Sequence, residues 1–163
     1  MDGEKSSTTG HFSLQSSPPM NPLEPSSEPP SHLRILVVED DPESLQMMGA
    51  LLALWGHQPR LVPAGPAALD AVKETMPDVI LLDLGLPGMD GFEVARTVRR
   101  EPEGGASVLI VAVTAFRGEE HQRQAREAGF DRYLMKPVDI DTLRQVLAQA
   151  PRRNGGSPPL HPA

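Results

Sequence analysis

Residues 34–42 read Arg-Ile-Leu-Val-Val-Glu-Asp-Asp-Pro, and this stretch decides the fold class. Ile35 to Val38 are apolar in succession rather than in alternation, which suits a parallel strand covered on both faces. Three acids follow at once, Glu39, Asp40 and Asp41. Asp41 and Pro42 then make a helix start, a capping acid with proline at the first helical position. The nine residues are the strand, turn and helix entry of one βα unit.

The same punctuation recurs downstream. Val79 to Leu82 runs into Asp83, Val108 to Val113 into Thr114, and Tyr133 to Met135 into Lys136 and Pro137. Between these runs lie amphipathic stretches. The first carries Leu45, Met48, Leu51, Leu52 and Trp55 on its inner face, its methionines and Trp55 read as core, and Gly56 ends it. A short strand is expected near 58–62, where Pro59 confines it to a strand start or an edge. A helix over Pro66 to Thr75 turns Leu69 and Val72 inward, and strand Asp78 to Leu82 follows. Helix Phe92 to Arg100 precedes strand Val108 to Val113. A helix over Glu119 to Ala128 has only Ala125 and Ala128 as clearly apolar residues, so its packing should be weak. Gly129 ends it. Strand Arg132 to Leu134 and helix Ile140 to Ala150, with Leu143, Val146 and Leu147 inward, complete an α/β pattern of five strands and five helices.

The flanks differ in composition. Residues 1–32 are rich in Pro, Ser and Glu and poor in large apolar side chains, which cannot offset the entropy of ordering. Residues 151–163 read alike. We therefore expect a disordered tail over 1–32, one folded domain over 33–150 and a second disordered tail over 151–163, with no effector domain after the last helix. The 163-residue chain has no cysteine, which excludes disulfides, zinc-thiolate sites and thiol catalysis and fits a cytoplasmic protein. A formal charge of −7 without a block of basic residues argues against direct nucleic-acid binding and suits a cation site. The pairs Arg99/Arg100 and Arg152/Arg153 read as solvated surface. No apolar run approaches the ~20 residues of a membrane helix, and no export signal is readable.

In open α/β sheets, ligands sit beyond the carboxyl ends of the strands. Glu39, Asp40, Asp83, Thr114 and Lys136 all fall there. Three nearby carboxylates resist ionising together unless a cation compensates. Oxygen-only ligands favour Mg²⁺, with Mn²⁺ as a second choice, over zinc, and the Gly85 backbone carbonyl is placed to join them. A carboxylate can also act as a nucleophile and form an acyl phosphate. Phosphoryl transfer needs mainly positioning and neutralisation of the equatorial oxygens, which the metal, Lys136 and the Thr114 hydroxyl could provide.

The turn after Leu82 reads Asp-Leu-Gly-Leu-Pro-Gly-Met-Asp-Gly, from Asp83 to Gly91. With the acidic pair after strand 1, Thr114-Ala115 after strand 4 and Lys136-Pro137 preceded by Tyr133, the chain over about 33–150 resembles a response-regulator receiver domain of two-component signalling. The resemblance implies a doubly wound, flavodoxin-like sheet in the order 2-1-3-4-5. It makes Asp83 the phosphoacceptor, Glu39 and Asp40 the metal pair, Thr114 the switch hydroxyl, Tyr133 the switch aromatic and Lys136 the phosphate-pairing base. It also implies a cis bond between Lys136 and Pro137. The donor would be a sensor histidine kinase or a histidine phosphotransfer protein, and the output a change on the helix 4, strand 5, helix 5 face, read by a downstream effector or a phosphorylation-dependent homodimer. The protein could be a free-standing regulator or a receiver of the hybrid-kinase type. Gly85 and Phe116 would flank the phosphoryl group, and a bulky Phe116 could shield it from water.

Two alternatives compete. Phosphatases of the haloacid dehalogenase type use an Asp nucleophile with Mg²⁺, but they place a second Asp two residues on, where this chain has Gly85. A phosphorylation-independent interaction module would usually lack part of the site. Nucleotide-binding motifs are absent, since Gly85, Gly88 and Gly91 miss the dinucleotide spacing. Turnover of an external substrate is not expected, and none of the five histidines has ligand spacing.

Overall fold

Strands with apolar residues on every position must be covered twice, and the computed structural model, which describes residues 32–151, covers them so. The order is β1 (Arg34–Val38), α1 (Pro42–Leu54), β2 (Gln58–Val62), α2 (Gly65–Glu74), β3 (Val79–Leu82), α3 (Gly91–Arg99), β4 (Leu109–Thr114), α4 (Glu119–Ala128), β5 (Arg132–Met135) and α5 (Ile140–Ala148). All five strands are parallel, in the order β2-β1-β3-β4-β5. Of the two expected tails, only His32 and Pro151 fall among the described residues.

The period of two along each strand sorts its side chains into two cores. Leu36, Val38, Ile80, Leu82, Ile110 and Ala112 face α2, α3 and α4, whose contributions are Ala68, Ala71 and Val72, then Val94, Ala95 and Val98, then Ala125 and Ala128. Ile35, Val37, Val79, Leu81, Val111 and Val113 face the other way, onto Leu45 and Leu52 of α1 and Leu143, Val146 and Leu147 of α5. At the amino ends of the strands, the buried Asp78 ties β1 to β3, its carboxylate accepting the Arg34 N–H at 2.7 Å.

The chain winds from β1 out to β2, then crosses back to β3 and continues to β4 and β5. Strand order therefore reverses between β1 and β3. Register places Val38 beside Leu82, so the residues after both strands emerge side by side at that reversal.

On α2, Val72 is buried and Leu69 packs partly buried against the core, as the sequence implies, and Ala68 and Ala71 join them. Two sequence readings need correction. Met47 of α1 is not core; it is 69% exposed, on the side of the helix away from Leu45 and Leu52. Arg99 is not solvated surface. Its side chain is 20% exposed, and its guanidinium donates to Gly105, Val108 and Gly129 carbonyls and to Asp131.

Candidate functional site

Asp41 caps α1 as its sequence implies, accepting the Ser44 N–H at 2.8 Å, and that hydrogen bond lowers its pKa. The cap fixes the turn after β1. Within it the Asp41 N–H donates to Glu39 Oε2 at 3.0 Å, which aims the Glu39 carboxylate back over the sheet. At the end of β3, the Gly85 N–H donates to Asp83 Oδ1 at 3.0 Å. The Asp83 carbonyl is approached by α3 so closely that a Cβ on Gly91 would lie 2.6 Å from it, which reserves that position for glycine.

Lys136 reaches this point from β5, crossing above β4. Its backbone N–H bonds to the Thr114 carbonyl at 2.9 Å, and the following Lys136–Pro137 peptide bond is cis. Its ammonium donates to Glu39 Oε1 at 2.6 Å and to Asp83 Oδ2 at 3.2 Å. The three side chains are 30%, 10% and 12% exposed for Lys136, Glu39 and Asp83. Burial is the largest influence on the Lys136 pKa and pulls it down. The Glu39 hydrogen bond and the charges of Asp83 and Glu39 together outweigh it, and the pKa rises. The amine is held charged.

One carboxylate oxygen from each of Glu39, Asp40 and Asp83 lies within 4.8 Å of the other two. Asp40 is the exposed member and closes the cluster on the solvent side. The donor set is all oxygen, the chemistry of a hard divalent cation. The cluster opens onto a cleft of about 470 Å³ between α1 and α5, lined there by Met47, Met48 and Ile140.

Thr114 and Tyr133 lie on the neighbouring strands but bond to neither carboxylate among the described residues. They meet instead through Phe116, which the family resemblance places beside the phosphoryl group. The Phe116 N–H donates to the Thr114 hydroxyl at 3.2 Å, and the Tyr133 hydroxyl donates to the Phe116 carbonyl at 2.7 Å. The Phe116 ring lies over Gly85, where a Cβ would come within 3.2 Å of it. Burial raises the Tyr133 pKa, so its hydroxyl stays a donor. Phe116 thus joins the Thr114–Tyr133 pair to the turn that carries Asp83. This backbone bridge left no sequence signal.

The comparisons with known proteins agree on one family. The model of the response regulator receiver domain matches residues 35–148. The DNA-binding response regulator MtrA of Mycolicibacterium smegmatis is 38% identical over 125 residues, covering 77% of this chain and 53% of MtrA. The chain therefore spans about half the length of that relative. An uncharacterized 14.6 kDa protein of Leptolyngbya boryana is 35% identical over 117 residues, covering 71% of this chain and 88% of that protein. Among solved structures, the receiver domain of the sensor histidine kinase PA1611 of Pseudomonas aeruginosa superposes with a TM-score of 0.67 at 32% identity, covering 72% of this chain and 96% of that one. That domain was solved with a magnesium ion coordinated in its active-site cleft. With the sheet order, the acidic rim and the family match in agreement, this chain belongs to the response regulator receiver domain family of two-component systems.

Proposed function

We propose that the chain is a cytoplasmic phosphoacceptor that takes a phosphoryl group onto Asp83 from a phosphohistidine of a sensor histidine kinase or a histidine phosphotransfer protein. The observation that carries this reading is the Lys136 ammonium held between Glu39 and Asp83, 2.6 and 3.2 Å away, from the far side of β4. An Asp83 carboxylate oxygen attacks phosphorus, the phosphorus–nitrogen bond breaks, and its electron pair returns to the donor imidazole. Catalysis of such a step is mostly positioning and charge stabilisation.

The cluster of Glu39, Asp40 and Asp83 suits Mg²⁺ by its donor chemistry and spacing, with the Gly85 carbonyl as a further ligand, and Mn²⁺ would fill the same oxygen set. When bound, the ion neutralises charge on the phosphoryl oxygens. Glu39 shares Lys136 with Asp83, so Lys136 is already in place to pair with a phosphoryl oxygen. The Thr114 hydroxyl gives up the Phe116 N–H to meet another, which loosens the residue whose carbonyl Tyr133 also holds. Two packings of the α4, β5, α5 face then differ in free energy by the new charge contacts, and a downstream effector or a second copy of the chain reads the difference.

The test is intact-mass measurement after incubation with acetyl phosphate and Mg²⁺. Wild type should gain one phosphoryl group, and Asp83→Asn or a chelated sample should gain none. Equal labelling of Asp83→Asn would reject the assignment, and absence of labelling in wild type would favour a phosphorylation-independent module.

A further inference from the structure

We propose that the Arg99 guanidinium is the fixed pivot of α4, holding the helix's C-terminal end to α3 and β4 so that switching displaces its N-terminal end; the motion assigned here rests on the functional reading above. Each of the five guanidinium N–H groups has an acceptor. Nε and Nη2 donate to the Gly129 carbonyl at 2.9 and 2.7 Å, Nη1 to the Gly105 and Val108 carbonyls at 2.9 and 2.8 Å, and Nη2 also to Asp131 at 2.7 Å. The same Asp131 oxygen accepts the Ile110 N–H of β4 at 2.9 Å. Arg99 thereby joins α3, the loop before β4 and the turn between α4 and β5, and through Asp131 it reaches β4.

Charge-assisted bonds of this kind are about twice as strong as neutral ones, and a cation at a helix C-terminus also complements the helix dipole. The turn is shaped around the arginine. Gly129 has φ of +109°, and a Cβ there would lie 2.8 Å from Arg99 Cγ. Apolar packing is concentrated at the same end. The only buried residues of α4 are Ala125 and Ala128, followed by buried Phe130, whose ring meets Phe92 edge to face at 6.4 Å.

The other end is built differently. Gly118 precedes α4 with φ of +111°, and no side chain caps the helix. Glu119 and Glu120 are exposed. This end is held through His121, whose ring meets Phe116 with centroids 4.9 Å apart and whose Nδ1 hydrogen-bonds the Arg117 carbonyl at 3.0 Å, both on the loop that carries the Thr114 bridge. Arg123 pairs with both Glu120 and Glu127, strapping one end of the helix to the other. A helix strapped along its length and anchored at one end swings as a rod.

Hydrogen–deuterium exchange of the full chain, with and without acetyl phosphate and Mg²⁺, tests this, with intact mass read on the same samples. In wild type the donor should change exchange over 114–122 and leave 125–131 as they were. Arg99→Lys keeps the charge but loses the fork, and should raise resting exchange over 125–131 roughly tenfold while β3 amides stay protected. With the donor, the change should then spread along the whole helix. Asp131→Asn, which keeps shape and an acceptor for Ile110, should act in the same direction if Arg99→Lys does not fold. Unchanged resting exchange over 125–131 in both variants would overturn the anchor. Equal donor-induced change at both ends of wild-type α4 would overturn the pivot. Absence of labelling would overturn the functional reading and the motion with it, and that outcome is separate because the anchor is read without donor.

Discussion

β3 and β5 are two parallel strands of one sheet, each ending in a residue of the same charged cluster, yet they are built on different terms. Every residue of β3 is buried, Val79 to Leu82, with neighbours on both edges and helices on both faces. No residue of β5 is buried, and it lies at the sheet edge with β4 on one side. Asp83 therefore follows a strand held on both edges and both faces. Lys136 and Tyr133 stand on a part that can yield, and α4 beside them is thinly packed. Elements that rearrange come from the weakly held end of the stability range, so under the proposed function the contrast separates where the phosphoryl group would be taken up from where a signal would be expressed.

The comparison can be broken most easily by core truncation. Leu82→Ala, at a fully buried position in β3, should cost about 2–5 kcal/mol in chemical denaturation, whereas Leu134→Ala in β5 should cost about 1 kcal/mol. Equal losses would remove the distinction between the two strands.

A smaller effect separates two glycines. Gly91→Ala puts a Cβ 2.6 Å from the Asp83 carbonyl and 2.9 Å from Leu84 Cα, both backbone, and should cost about 1–3 kcal/mol while displacing Asp83. Gly118→Ala meets nothing within 4 Å but must adopt a positive φ. Its penalty should fall near the low end, about 1 kcal/mol, with acetyl phosphate labelling intact. Stability and labelling measured together on both variants check the pair.

Smaller again is Tyr133→Phe, which removes the donor to the Phe116 carbonyl. A loss of about 0.5–1 kcal/mol is expected, because water can replace the hydroxyl. Labelling of Asp83 should persist, while the donor-induced change in exchange at the start of α4 should shrink.

The smallest effect sharpens the edge of the β5–α5 side. The Thr142 hydroxyl and Thr142 N–H bond to Asp139, the cap of α5, and lower its pKa. A carboxylate depressed by folding contributes stability above its unfolded pKa and loses it as pH falls through the folded value. Asp139→Ala should therefore lower the melting temperature slightly at pH 7. The gap to wild type should narrow as pH falls below the ordinary aspartate range.

Continuous apolar runs made β1, β3 and β4 legible in the sequence, since only a doubly covered strand tolerates them. β2 was faint, with only Leu61 and Val62 apolar, and Pro59 confined it to a strand start or an edge, the place it takes. The acids and Lys136 were legible because each ends a strand and all such ends share one rim. On the inner face of α2, Val72 was legible and Ala68 and Ala71 were not, because alanine carries little hydrophobic pattern. Nor was the Phe116 bridge, which is made by its backbone. Arg99 escaped for a related reason: three of its acceptors are carbonyls, and carbonyls leave no trace in side-chain pattern.

The central claim is that distant residues build one phosphoacceptor around Asp83. Borohydride reduction of the labelled chain, followed by peptide mass spectrometry, reads it most directly, because an acyl phosphate is reduced to an alcohol at the residue that carried it. That mark should fall on Asp83 and be lost when Mg²⁺ is chelated. A mark on Glu39, Asp40 or any other carboxylate in place of Asp83 would contradict it.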